Sequence, residues 1–374
     1  MRRVEVRHVA LALAAVALAV PTAATTKAIA KEGTLNMIAW EGYLDAKWVK
    51  PFIRQTGCKV NAKYADSSGE MVALMRSGGG GRYDMVSASG DASLRLISSG
   101  DVASVDVNRV PGWKQFFKSF QSPPVSTVKG KHYGISLGWG PNTLLWNTKK
   151  VQPAPNVSAL YSPRFKGKIT VPNNPLQIAD AALYLSRIRP SLGISDPYEL
   201  TRPQFDATVA LLKRQRPLVR TYWGLASDEV SLFKNGDVTI GAAWSYTTGM
   251  LRDARVPVRE IIPEEGATGW LDTWMLSSKA KHPNCAYAWY TYISSPRVQA
   301  QQAVTWGETP VNKLACPYMN KLSKGSCAAY HANEPEAFYA SIEFWKTPFA
   351  DCGNGKKNCM DYSQWVKSWD EVIS

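Results

Sequence analysis

Strand-like and helix-like stretches alternate between residues 35 and 91, and this pattern constrains the fold more than any other feature of the chain. Residues 35–40 form a short apolar run that ends in an aromatic, Trp40. Residues 47–55 read as a helix stopped by Gly57, and Val60, Ala62 and Tyr64 then alternate as a second strand. A helix at 70–76 and a strand at 83–88 follow. Such alternation argues for parallel α/β units, in which ligands bind beyond the carboxyl ends of strands. The stretches 40–43 and 87–91 occupy those ends and are the first pocket candidates. The glycine run 78–81 precedes a strand instead of following one, and no Gly-Lys-Ser/Thr accompanies it, so it reads as a turn and not as a phosphate cradle. Further strands are expected at 168–171 and 237–241, with helices near 179–187 and 203–214, so a second α/β lobe fits between about 142 and 260. A helix is expected from Cys285 to about Ser294, before a tail rich in cysteine, glycine and lysine. A chain of 374 residues leads to an expectation of two domains.

The first residues carry a different signal. Arg2, Arg3 and Arg7 precede an unbroken apolar run at 9–20 that Pro21 ends. The run is shorter than the roughly 20 residues needed to span a bilayer. Ala28-Ile29-Ala30 offers a small-residue cleavage site, with Thr22-Ala23-Ala24 as a second choice, so residues 1–30 are expected to be a cleaved export signal. No cysteine lies near that site, which argues against a lipid-anchored end. The net charge of +14 falls by three when the segment's four basic residues and one acidic residue are removed. The remaining lysines and arginines are scattered, so attraction to an anionic envelope suffices and nucleic acid is not called for. Six cysteines in an exported chain favour disulfides. Short loops favour Cys352–Cys359 and Cys316–Cys327, leaving Cys58 and Cys285 to pair or stay free, with Cys285–Cys316 as a competitor. The four histidines are far apart and no C-x-x-C spacing occurs, so no metal site is expected.

Several short motifs then fall into one order. Ala39-Trp40-Glu41-Gly42-Tyr43, the Thr56-Gly57-Cys58-Lys59-Val60 entry to a strand, Tyr83-Asp84-Met85-Val86, Gly241-Ala242-Ala243-Trp244, Trp270-Leu271-Asp272-Thr273 and Gly307-Glu308-Thr309-Pro310-Val311-Asn312 together resemble the bacterial spermidine/putrescine-binding periplasmic protein family. The resemblance implies an α/β type II periplasmic-binding-protein fold, two α/β lobes joined by a hinge crossed twice. Lobe 1 is expected at 31–137 and 271–317, and lobe 2 at 138–270 and 318–374. It implies a periplasmic monomer that uses no cofactor, binds a small amine, and delivers it to the membrane permease and ATPase of an ABC importer.

Carried over by motif, Trp40, Tyr43, Trp244 and Trp270 become aromatic walls, Asp272 the principal ammonium acceptor and Ser89 a polar side contact. The chemistry fits: aromatic faces hold methylenes and attract cations, and carboxylates accept charge-assisted hydrogen bonds from ammonium groups. With 14 tryptophans in the chain, composition alone leaves each of these open to a core role, and placement at strand ends is what points to the cleft. The chain also departs from the family. An acid expected directly before the tyrosine is Gly42 here, with Glu41 one step earlier, and Asn173, Asn174 and Gln177 replace acids at the start of lobe 2. Asp91 stands where an aromatic is usual. Arg220, facing the cleft, would hold a carboxylate bidentately and turn the ligand into a zwitterion such as 4-aminobutyrate. An exported enzyme finds no Gly-x-Ser-x-Gly elbow or metal-ligand pair, and an iron binder would need clustered tyrosine and histidine.

Overall fold

A computed structural model describes residues 32–374 apart from 66, 78–80, 354 and 356. The expected export segment 1–30 and most of the glycine run 78–81 therefore lie outside the described residues, and Gly81 is in a turn. Two β-sheets carry the architecture. The first has eight strands, with Thr309–Pro310, Gly134–Pro141, Thr268–Ser277, Met85–Ser89, Thr34–Ala39 and Lys59–Tyr64 side by side in that order. Thr34–Ala39 runs parallel to both of its neighbours, whereas Thr268–Ser277 is antiparallel to Met85–Ser89 and to Gly134–Pro141. The second sheet has five strands in the order Val219–Trp223, Ile169–Pro172, Ile240–Ala243, Thr143–Asn147 and Val258–Ile261.

Local chemistry explains the elements that frame the site. Helix Ala46–Thr56 starts where the Asp45 side chain accepts from the Lys47 N–H at 2.6 Å, and it ends at Gly57, whose φ of 75° is left-handed. Its Trp48 and Phe52, four residues apart, share the buried face, and Phe52 meets Trp289 edge-on at 5.0 Å. Cys58–Cys285 links the entry to the second strand with helix Pro283–Ile293, and Cys316–Cys327 and Cys352–Cys359 close the two short loops. The expected helices at 47–55, 179–187 and 203–214 appear as Ala46–Thr56, Gln177–Ile188 and Arg202–Gln215. The strand expected at 237–241 begins later, at Ile240, because Asp237 and Val238 still donate to Leu232 O and finish the preceding helix. Strands Gly134–Pro141 and Thr268–Ser277 show no apolar–polar alternation because nearly every residue in them is buried on both faces.

The chain leaves the first sheet for the second at Asn142 and returns between Ile261 and Thr268. Both passages are tied together. The Asn142 N–H donates to Thr268 O at 2.8 Å, and its side-chain amide donates to Thr268 Oγ1 at 2.8 Å. The half-buried Asp180 carboxylate accepts from Thr268 Oγ1 and, at 2.6 Å, from Gln177 Nε2. The C-terminal segment is divided differently from the expected boundary at 318. Met319 and Cys327 pack with Ala300 and Ala303 of the first lobe, and Glu343–Phe344 pairs with Thr268–Ser277. From Trp345 onward the chain also reaches the second lobe: Lys346 bonds Asp196 and Glu199, Cys359 bridges Thr201, and Trp345, Trp365 and Trp369 lie in one apolar cluster with Leu176 and Leu212. The reason is apolar: Cys316–Cys327 closes the 316–327 loop on itself, and Met319 and Cys327 of that loop pack on Ala300 and Ala303 of helix Pro296–Trp306.

Candidate functional site

A cavity of about 370 Å³ opens between the two sheets. Its walls are built from strand ends, as expected for parallel α/β units. On the first-sheet side, Trp40, Glu41 and Tyr43 follow Thr34–Ala39, and Asp91 follows Met85–Ser89. On the second-sheet side, Asn173 and Asn174 follow Ile169–Pro172, Trp223 ends its strand and Trp244 follows Ile240–Ala243. Several second-wall residues stand beside helix starts, at Gln177, Ala226 and Ser245.

The carboxyl groups are held by strand register. Asp272 lies opposite Ser89 on one neighbouring strand and opposite Gly138 on the other. The Ser89 hydroxyl donates to Asp272 Oδ1 at 2.5 Å and the Tyr43 hydroxyl donates to Oδ2 at 2.5 Å. Burial pushes the Asp272 carboxyl up to about 6, opposed by those two hydrogen bonds, while the nearby Asp91 adds to the rise. Glu308 sits just before the short strand Thr309–Pro310, where the missing side chain of Gly138 leaves room: a Cβ there would stand 2.7 Å from Glu308 Cδ. Burial, with repulsion from Asp272, pushes Glu308 up to about 8, and its Oε2 has no hydrogen-bond partner among the described residues. Asp91 accepts from Ser68 Oγ at 2.9 Å and lies 4.0 Å from Arg95, yet burial still raises its carboxyl.

Aromatic rings complete the lining. Trp223 and Trp244 meet edge-on at 4.8 Å, and the Trp244 indole N–H donates to Asn142 Oδ1 at 3.1 Å, so the interlobe passage positions this ring. Trp270 lies over Gly140, where a Cβ would come within 2.5 Å of its ring. Trp306 packs between Tyr43 and Tyr246, with ring centres 5.8 and 5.6 Å away. Trp306 also explains Gly42. A Cβ at position 42 would fall 1.7 Å from the Trp306 ring, and φ there is +87°, so neither an acid nor any other side chain fits.

A sequence profile of bacterial extracellular solute-binding proteins matches residues 47–319. The chain belongs to that family. It is 24% identical over 284 residues to the spermidine/putrescine-binding periplasmic protein of Escherichia coli K12, a match covering 75% of this chain and 78% of that protein. Among solved structures, the spermidine/putrescine ABC transporter substrate-binding protein PotD of Streptococcus pneumoniae superposes with a TM-score of 0.69 at 19% identity, covering 91% of this chain and 97% of that one. The Atu4243–GABA receptor superposes with a TM-score of 0.64 at 18% identity, covering 91% and 95%. These likenesses give the type II periplasmic-binding-protein fold.

In this solute-binding protein the cavity gathers Trp40, Glu41, Tyr43, Ser89, Asp91, Trp244, Trp270 and Asp272 along one lining. Arg220 does not join them. Its strand changes register against Ile169–Pro172 between Val219 and Thr221, and the Arg220 side chain is exposed away from the cavity. No lysine or arginine among the described residues lines the cleft. Sequence reasoning missed Glu308, Trp306, Trp223, Tyr246, Trp345 and Tyr362 as lining residues. For Glu308 a signal was available, since the Gly-x-x-Pro-x-Asn turn places it one residue before a strand. Among the described residues, no group of three or more acidic, histidine or cysteine side chains is placed to hold a metal, and no helix is long and apolar enough to cross a membrane.

Proposed function

We propose that this solute-binding protein is exported to the periplasm, captures a polyamine of the putrescine or spermidine kind, and presents it to the membrane permease and ATPase of an ABC importer. One observation carries the ligand reading: a buried carboxylate, Asp272, fixed by Tyr43 and Ser89, faces an aromatic-walled cavity lined by no basic side chain among the described residues. An ammonium group supplies the charge and the donors that this carboxylate and Glu308 accept, and Trp40, Trp244 and Trp270 take the methylenes and part of the charge on their faces. Lobe closure removes water and strengthens both interactions. The role is binding without turnover, the site being arranged to hold a cation. Support for the ligand class comes from relatives named for spermidine and putrescine. Export rests on the basic-then-apolar segment 1–30. The zwitterion reading through Arg220 loses its anchor, because that side chain points to solvent.

The test is calorimetric titration of the purified protein with putrescine, spermidine and 4-aminobutyrate in parallel. Saturable binding of either polyamine is expected. Binding of 4-aminobutyrate alone, or of none of the three, overturns the ligand assignment.

A further inference from the structure

We infer that the cleft reads only one end of its ligand: a single compact cationic group is held by Asp272 and Glu308, with Asp91 behind them, while the rest of the molecule lies against an uncharged wall. This rests on the amine reading above and narrows it.

The observation is the placement of charge. Every carboxylate that lines the cavity comes from the first sheet: Glu41 after Thr34–Ala39, Asp91 after Met85–Ser89, Asp272 within Thr268–Ser277, and Glu308 before Thr309–Pro310. Glu41 is exposed at the rim, whereas Asp91, Asp272 and Glu308 are 2–3% exposed. The three buried groups are close enough that Asp91 raises the Asp272 carboxyl and Asp272 raises that of Glu308. Arg95 stands 4.0 Å from Asp91 and offsets part of its charge, so Asp272 and Glu308 are the pair left to meet a ligand cation. Glu308 Oε2, buried and without a partner among the described residues, is left for a ligand group to meet, and an ammonium there would favour loss of the carboxyl proton.

The second wall offers no equivalent. Asn173, Asn174, Trp223, Leu225, Trp244 and Tyr246 line it, and none is a carboxylate or a basic side chain. The two amide oxygens are already engaged, since Asn173 Oδ1 accepts from the Trp369 indole at 2.9 Å and Asn174 Oδ1 accepts from the Leu176 N–H at 3.0 Å. A second ammonium at that end would lose hydration and gain no carboxylate. It therefore stays at the wet rim or adds nothing to binding, and a methyl group there fits as well.

The deciding experiment titrates the full-length exported chain with putrescine and with 1-aminobutane, which shares the four-carbon chain but carries one ammonium. Dissociation constants within about threefold of each other are expected, since a second charge-assisted hydrogen bond would separate them by about tenfold or more. A diamine bound about tenfold or more tightly than the monoamine overturns one-ended recognition and leaves amine capture standing. If neither compound binds while the protein is folded by circular dichroism, the amine reading fails and this inference falls with it.

Discussion

The two walls of the cleft are built from the same kind of strand end, yet they differ in what they can hold. The first wall carries Asp91, Asp272 and Glu308 in the interior, organised by Ser89, Tyr43 and Ser68. The second carries Trp223, Trp244, Asn173 and Asn174, with no carboxylate among the lining residues described. Fold position thus fixes where a ligand lies, and side-chain choice fixes which of its ends is recognised. Asp272 and Glu308 can be buried side by side because they do not both ionise without a ligand. Asp272 and Glu308 are pushed up to about 6 and about 8 by burial, so at neutral pH the pair shares its charge instead of enclosing two unpaired anions.

The largest effect that separates the walls is expected at Asp272. Asp272→Asn keeps the shape and removes the charge, and should weaken putrescine binding by about 1.5–3 kcal/mol, the scale of a charged hydrogen bond. The matched change on the other wall, Asn173→Ala, should cost no more than about 0.5 kcal/mol, as for a partly exposed neutral group. Calorimetry on the two variants checks this, and equal losses would erase the distinction between the walls.

A smaller effect should appear in stability as a function of pH. Glu308 binds its proton more tightly folded than unfolded, so between its ordinary value and about 8 the native state holds the extra proton. The stability contribution is full at low pH and is lost as pH rises through that window. Glu308→Gln removes the loss, so the variant should be more stable than the parent at pH 8, by on the order of 1–2 kcal/mol, and similar to it near pH 4. Thermal melts of the ligand-free proteins at the two pH values measure it. Parallel melting curves for parent and variant at both would mean that Glu308 is ionised in the free protein, and the charge-sharing pair would have to be abandoned.

How much of this was legible in the sequence depended on whether a feature is local. The strand and helix alternation between 34 and 89 was readable because period and caps lie within each element: Asp45 and Gly57 bracket one helix directly. Asp272, Trp244 and Trp270 were found through their motifs. Strand Thr268–Ser277 was not recognised as a strand, since burial on both faces erases the period of two. Glu308 was quoted within its turn, but its place beside Asp272 comes from Pro310 pairing with Gly138, across a gap in sequence that no window spans. Arg220 was readable only conditionally, as a residue that would hold a carboxylate if it faced the cleft, and its strand's irregular pairing with a distant strand, beside which it is exposed, lies beyond any local window. Gly42 shows the same dependence, its missing side chain answering to Trp306.

The smallest effect would sharpen the comparison by making the walls alike. Asn174→Asp is nearly isosteric, and the new carboxylate can keep the hydrogen bond from the Leu176 N–H. It would also lie at the start of helix Gln177–Ile188, where a negative charge is favoured, so the fold should tolerate it. The charge would then stand on the second wall, facing the end of the ligand that the parent leaves unrecognised. Because Asn174 is only half-buried, solvent screens the gain, and about 0.5–1 kcal/mol is expected. That gain should belong to putrescine and spermidine alone, leaving 1-aminobutane unchanged, and raised salt should reduce it. A variant that bound the monoamine and the diamine equally better would show that the charge acts through the field of the whole cleft. The far ammonium would then never approach position 174, and the ligand would be oriented with both ends along the first wall.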